Sequence, residues 1–103
     1  MPEFTDDLNL VILEGEIAYD PQVQIRNGKT AYNFVVIQRT HSASFKYPVV
    51  YWEFPDSTPY IKENLIRGRV VRIRGHLQSG SEELPEKVVV TCKVCVDAIV
   101  FAQ

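Results

Sequence analysis

Hydrophobic and polar residues alternate along most of this chain with a period of two, the spacing of strands that bury one face and solvate the other. The pattern predicts a first strand over residues 9–18, NLVILEGEIA, with Gly15 inside it at a position that suggests a bulge or bend. DPQVQIRNG (20–28) opens with a turn at Asp20–Pro21 and closes with Asn27–Gly28, a strong hairpin signal. TAYNFVVIQRT (30–40) is the second long strand, HSASFKY (41–47) a polar loop interrupted by Phe45 and Lys46, and PVVYWEF (48–54) the third strand. PDSTPYIKENLIRG (55–68) is the one helical segment. Ser57 or Thr58 can cap it, Pro59 suits its first turn, and Gly68 suits its stop with Arg67 favourable beside it. Tyr60, Ile61 and Leu65 form its packing side. RVVRIRGHLQ (69–78) then places Arg69, Val71, Ile73, Gly75 and Leu77 on one face and Val70, Arg72, Arg74 and His76 on the other. SGSEELPE (79–86) reads as a loop, and residues 87–101 as the last strand.

Three strands, a helix and two more strands is the order of the oligonucleotide-binding (OB) fold, a five-stranded Greek-key barrel. The expected fold is therefore all-β with one short helix, placed between strands 3 and 4 where it plugs one end of the barrel. A split sheet sandwich is the competing architecture, and the position of the helix argues against it. At 103 residues the chain makes one domain with a modest core. Residues 1–8 form an N-terminal arm and 9–103 the domain.

Charge refines this picture. The formal charge is −2, which speaks against a polyanionic partner until its distribution is considered. Between residues 9 and 79, nine Lys/Arg stand against six Asp/Glu, leaving +3, while Glu3, Asp6 and Asp7 lie in the arm and Glu82, Glu83 and Glu86 in one loop. A mildly basic body is compatible with nucleic acid without demanding it. No apolar run approaches the roughly 18 residues of a membrane span, and no basic-then-apolar leader precedes the fold, so a cytoplasmic location is expected.

Candidate chemistry is sparse. Cys92 and Cys95 have the CxxC spacing of a zinc or redox site, but three residues along a strand reverse the face. Cys92 falls in register with Val88, Val90, Val94 and Val96, and Cys95 with Thr91, Lys93 and Asp97, so the thiols diverge. Both read as structural, one buried and one half-exposed. His41 and His76 lack a ligand cluster, and no phosphate loop or nucleophile signature occurs. No enzyme activity, cofactor or metal is expected.

The aromatic residues carry more information. In an extended strand Val50, Trp52 and Phe54 share one face, with Val49 and Tyr51 on the other. Trp52 and Phe54 are either a platform for an external ligand or part of a core or oligomer interface. The second strand is apolar on both faces, with Phe34 and Val36 against Val35 and Ile37, which calls for a second layer of bound bases or a partner subunit. With the LVIL run of the first strand, this predicts an oligomer. Binding unpaired nucleic acid without reading its sequence needs flat surfaces for bases and positive charge for phosphates. Trp52 and Phe54, with Phe45 on the adjoining loop, are the stacking candidates. Arg26, Lys29, Arg39, Lys46, Arg72 and Arg74 are the phosphate candidates; Arg72, Arg74 and His76 form either a basic stripe or a solvated outer face.

NLVILEGEIAYDPQV, NG…AYNFVVIQRT and YIKENLIRGRVVRIRGHLQ, in this order and spacing, resemble the bacterial single-stranded DNA-binding proteins over residues 9–101. The matching positions include Gly15, Asp20, Pro21, Asn27, Gly28, Ala31, Asn33, Phe34, Arg39, Thr40, Leu65, Gly68, Val71, Ile73, Gly75 and Leu77. The resemblance implies a homo-oligomer, usually a tetramer, that wraps single-stranded DNA in replication, recombination or repair and is nucleoid-associated. It places Phe54 at the position of a family stacking phenylalanine and Phe45 in a loop that commonly holds another aromatic. Two departures weaken the match: Pro48 stands where many members have a tryptophan, and SGSEELPEK replaces a loop that is often aromatic and basic. Two alternatives follow. One is a dimeric protein of the primosomal replication protein B type that binds both DNA and replication or repair proteins. The other is a protein-docking adaptor in which DNA binding is weak or lost.

Overall fold

The computed structural model describes residues 7–54 and 59–102, with only the strand placement described for 81–84 and 89. The described chain is mostly β-sheet with one short helix: β1 (Val11–Ile17), β2 (Gln22–Arg26), β3 (Lys29–Arg39), β4 (Ser44–Trp52), α1 (Pro59–Asn64), β5 (Val70–Leu84) and β6 (Lys87–Phe101). Five strands close a ring in the order β1–β5–β6–β4–β3 and back to β1, while β2 flanks β3 outside it. All pairings are antiparallel except β4 with β6.

The ring consists of two well-laddered halves joined by short seams. β2, β3 and β4 form one half and β1, β5 and β6 the other. The seams are Glu16–Ile37 with Ile17–Val36 on one side, and Val49–Val94 with Val50–Cys95 on the other.

Period-two alternation explains the interior. Leu13, Ile17, Phe34, Val36, Val49, Tyr51, Val71, Ile73, Val94, Val96 and Phe101 meet inside the ring, and Leu65 closes one end just after α1. Fully burying one such aliphatic side chain contributes about 1.5–3 kcal/mol, so this shared interior is the main source of stability. α1 itself contributes no buried residue: Ile61 packs against the core from its edge, and Tyr60 is exposed with its ring edge against Phe101. The described helix covers Pro59–Asn64 and ends before the predicted stop at Gly68; residues 55–58, with the Ser57 and Thr58 cap assignments, lie outside the described residues, as does most of the N-terminal arm. Gly68 adopts a left-handed φ of 91° after the helix. Nearby, Asp20 accepts a hydrogen bond from the Arg67 amide at 2.8 Å, tying the loop after β1 to the helix exit.

Four expectations need correction. Gly15 makes no bulge, because β1 stays in register with β5 across it. The missing side chain instead lets β3 approach: a Cβ there would collide with the Ile37 carbonyl and the Val36 side chain. Residues 22–26, read only as a turn-bounded approach to Asn27–Gly28, form a strand of their own, and the turn itself has φ of 52° and 75°, the paired left-handed geometry of a tight hairpin. Residues 44–47 are not a loop but the start of β4, with Phe45 opposite Gln38 and Lys46 opposite Ile37.

The fourth correction is the largest. The predicted 79–86 loop is mostly ladder: β5 and β6 stay paired out to Leu84–Lys87, with the turn at Pro85 and Glu86. The Asn9 side chain brackets Leu77, accepting from its amide and donating to its carbonyl, both at 2.8 Å. Beyond that point the two strands continue as an arm with no third strand beside them among the described residues.

Candidate functional site

The end of β4 lies on the outer wall of the ring, beside the β2–β3 turn, α1 and the middle of the β5–β6 ladder. These elements enclose an open cleft of about 990 Å³, lined by Lys29, Trp52, Glu53, Phe54, Lys62, His76, Gln78 and Asp97 among others. Strand parity puts Trp52 there. It shares the outer face with Ala31, directly across the ladder, and with Val50, which faces Cys95 on β6. Ala31, Val50 and Cys95 make a small second cluster, and the indole packs against it while remaining half-buried. The two readings of Trp52 are thus not exclusive. One part of the ring roofs an apolar patch and the rest borders the cleft.

Backbone pairing continues one step past β4, where the Glu53 amide donates to the Thr30 carbonyl at 2.9 Å. The Glu53 carboxylate meets the Lys62 ammonium at 2.7 Å, and this bond, with the attraction behind it, raises the Lys62 pKa above its ordinary value. Phe54 follows outside the strand, 48% exposed, with its ring edge-on to Tyr51 at a centroid distance of 6.4 Å. It lines the same cleft as Trp52, although its ring contact is with the core-facing Tyr51.

Across the cleft the β5–β6 ladder slips. Arg74 pairs with Ala98 but Gly75 pairs with Val96, leaving Asp97 as the extra residue of a bulge. Bulges re-aim side chains, and the Asp97 carboxylate here meets His76 Nδ1 at 3.1 Å. Cys95 lies on the floor, and its burial pushes the thiol pKa up.

The remaining predicted residues disperse. Phe45 is 49% exposed but stands on the opposite face of β4 from Trp52, seven residues and up to about 23 Å along the strand. It does not line the cleft. Of the six cationic candidates only Lys29 does, with Arg26 directly across the β2–β3 hairpin from it. Arg39 is held by Glu16 at 2.8 Å, and Arg72 donates from Nε and a terminal nitrogen to one Glu14 oxygen at 3.0 and 2.8 Å. Lys46 and Arg74 are exposed and make no ion pair among the described residues. Arg72 and Arg74 therefore belong to an outer wall shared with β1, not to the cleft.

The sequence did not single out Glu53, Lys62, Gln78 or Asp97 as cleft residues, and it placed His76 with Arg72 and Arg74 on a basic stripe or solvated face instead of in the cleft. Nothing local marks Asp97, because its position depends on a slip in pairing at Arg74 and Gly75, more than twenty positions away. Of the two cysteines, expected to be one buried and one half-exposed, Cys95 is the buried one and Cys92 is exposed. Parity placed both faces correctly, but Cys92 lies on the arm, where the inward face has no core, while Cys95 lies under Trp52. Among the described residues no group of His, Cys, Asp and Glu could hold a metal ion, and no helix is long and apolar enough to cross a membrane. Compared with models of known protein families and with curated proteins, the sequence matches none.

Proposed function

We propose that this protein binds single-stranded DNA without strong sequence dependence, as an OB-fold domain of the bacterial single-stranded DNA-binding type, in replication, recombination or repair. The observation that carries the reading is the half-buried Trp52 bordering an open cleft on the outer wall of a closed five-stranded ring, with the half-exposed Phe54 beside it. The parallel β4–β6 pairing and the helix between β4 and β5 agree with OB topology. Unpaired bases stack on these rings, each contributing on the order of 1–3 kcal/mol, and phosphates pass Arg26 and Lys29 at the hairpin turn. Trp52 and Phe54 are the stacking residues in this reading; Phe45 belongs to a separate surface.

Titration with oligo-dT, followed by Trp52 fluorescence, tests the proposal. Quenching at low salt, with little response to duplex DNA, is expected. A strand passing only Arg26 and Lys29 neutralises about two phosphates, which predicts a log–log salt slope near −1.4. No quenching at low salt removes Trp52 from any DNA site.

A second reading has its own observation. Arg39 and Arg72 are committed to Glu16 and Glu14, which weakens the phosphate path and favours a protein-docking adaptor. Assembly as a homo-oligomer, tetramer or dimer, is part of the first reading. The dimer is the state expected of the primosomal type. Light scattering at micromolar concentration decides between these states, and a monomer would contradict both.

A further inference from the structure

Among the described residues that line it, the cleft beside Trp52 carries no excess of positive charge. Its cations there are Lys29 and Lys62, its carboxylates Glu53 and Asp97, and Lys62 is already joined to Glu53. A site built only to hold phosphate would not line the indole's own cleft with Asp97. Asp97 is also not tied up: His76 Nδ1 engages one carboxylate oxygen, Oδ2, and no hydrogen bond to Oδ1 occurs among the described residues. The carboxylate is fixed in direction by the bulge and by His76, and Oδ1 has accepting capacity to spare.

Resting on the single-strand reading above, we propose that this cleft prefers nucleobases that carry an exocyclic amine, and that Asp97 sets the preference. A base stacked on Trp52 presents its edge toward the β5–β6 wall. Cytosine presents its N4 amine, adenine its N6 amine, and guanine its N1–H and N2 amine, all donors to a carboxylate. Thymine and uracil present at that edge one imino donor, N3–H, flanked by two carbonyl oxygens that a carboxylate repels, and they have no amine to offer, so their contact with Asp97 is the weaker one. Gln78, whose amide both donates and accepts, discriminates neither way. Stacking thus supplies affinity that every base shares, and Asp97 adds a term for the amine-bearing ones.

Oligo-dC and oligo-dU are the suitable probes, because they have rings of equal size and neither carries the thymine methyl group. Titrations above pH 7.5, read through Trp52 fluorescence, are expected to show dC bound about fivefold tighter than dU, the lower end of the discrimination a directed base contact supplies. Asp97→Asn retains the shape but offers an amide that can donate as well as accept. The dC-to-dU ratio is expected to fall to about one in this variant, even if both affinities rise with loss of the negative charge. The ratio cancels that shared gain, and circular dichroism confirms that the variant is folded. Equal affinity for dC and dU in the unmodified protein overturns the inference and leaves single-strand binding standing. A dC preference that survives in Asp97→Asn overturns the role of Asp97. Absence of quenching by either oligonucleotide overturns both this inference and the reading on which it rests.

Discussion

The two stretches of β6 have nearly the same alternation and opposite environments. In 94–101, Val94, Val96 and Phe101 face inward and are buried. In 87–93, Val88, Val90 and Cys92 continue the same face and are exposed, Val90 at 67%. They differ in what stands opposite. The first stretch faces β1, β3 and β4 across the ring, whereas the second has, among the described residues, only β5 beside it. Alternation therefore reports which way a side chain points, and burial depends on a second layer that the strand does not itself provide.

The most direct way to break this comparison is to truncate one aliphatic residue in each environment. Ile73→Ala, inside the ring, is expected to lower unfolding free energy by about 2–5 kcal/mol, and Val90→Ala, on the arm, by no more than about 0.5 kcal/mol; denaturant titration measures both. Equal losses would mean that the arm is covered by something in solution.

The outer wall offers the next largest effect. Trp52→Ala is expected to weaken oligo-dT binding by about 1–3 kcal/mol, whereas Phe45→Ala on the other face of β4 leaves it unchanged. Fluorescence anisotropy of labelled oligo-dT, independent of the lost indole, reads both. Equal losses from the two would join surfaces that β4 separates.

Removing the arm sharpens the point further. Gln78 and Lys93 are direct partners, so Asn-Gly in place of residues 79–92 gives a two-residue hairpin. The ring is expected to keep its stability to within about 1 kcal/mol, because closing a shorter loop changes the entropy only slightly. A melting curve on the shortened chain provides the check.

The cysteines give the smallest effect and the finest contrast. A thiol reagent at pH 8 is expected to modify Cys92 first and Cys95 only slowly, with mass spectrometry of the partly labelled protein locating the adduct. Burial raises the Cys95 pKa, so the folded chain holds that proton at a pH where the unfolded chain has lost it. Its contribution is complete below the unfolded thiol value, near 8.5, and declines as pH climbs through the folded one. Replacing Cys95 by Val should flatten that alkaline decline.

Much of the ring was legible because strand faces repeat every second residue: Val71 and Ile73, set opposite the Arg72–Arg74 face, land inside, whereas Phe34 and Val36 were one of two apolar faces and only the structure shows that theirs is the inner one. The arm was not, because Ser, Gly and Glu have weak strand preference and only pairing with Val88 to Val90 makes 79–84 extended. The start of β4 was obscured by Pro48, which breaks the usual strand signal although it sits opposite Val35 in the ladder. For the site, the strand and face of Trp52 could be inferred locally. The ion pairs Glu16–Arg39 and Glu14–Arg72 could not, since each depends on the register between strands far apart in sequence.

The short join between β4 and β6 has a consequence for motion. A wall fastened only at Val49–Val94 and Val50–Cys95 parts there at lower cost than along the long ladders on either side. One undemanding excursion of this molecule is thus a gape at this seam, in which β4 swings away from β6 and carries Trp52, together with Val50 and Ala31, away from Cys95. A guest lodged between Trp52 and Asp97 spans that gap like a rivet, and slower amide exchange at Val50 and Cys95 would be its signature.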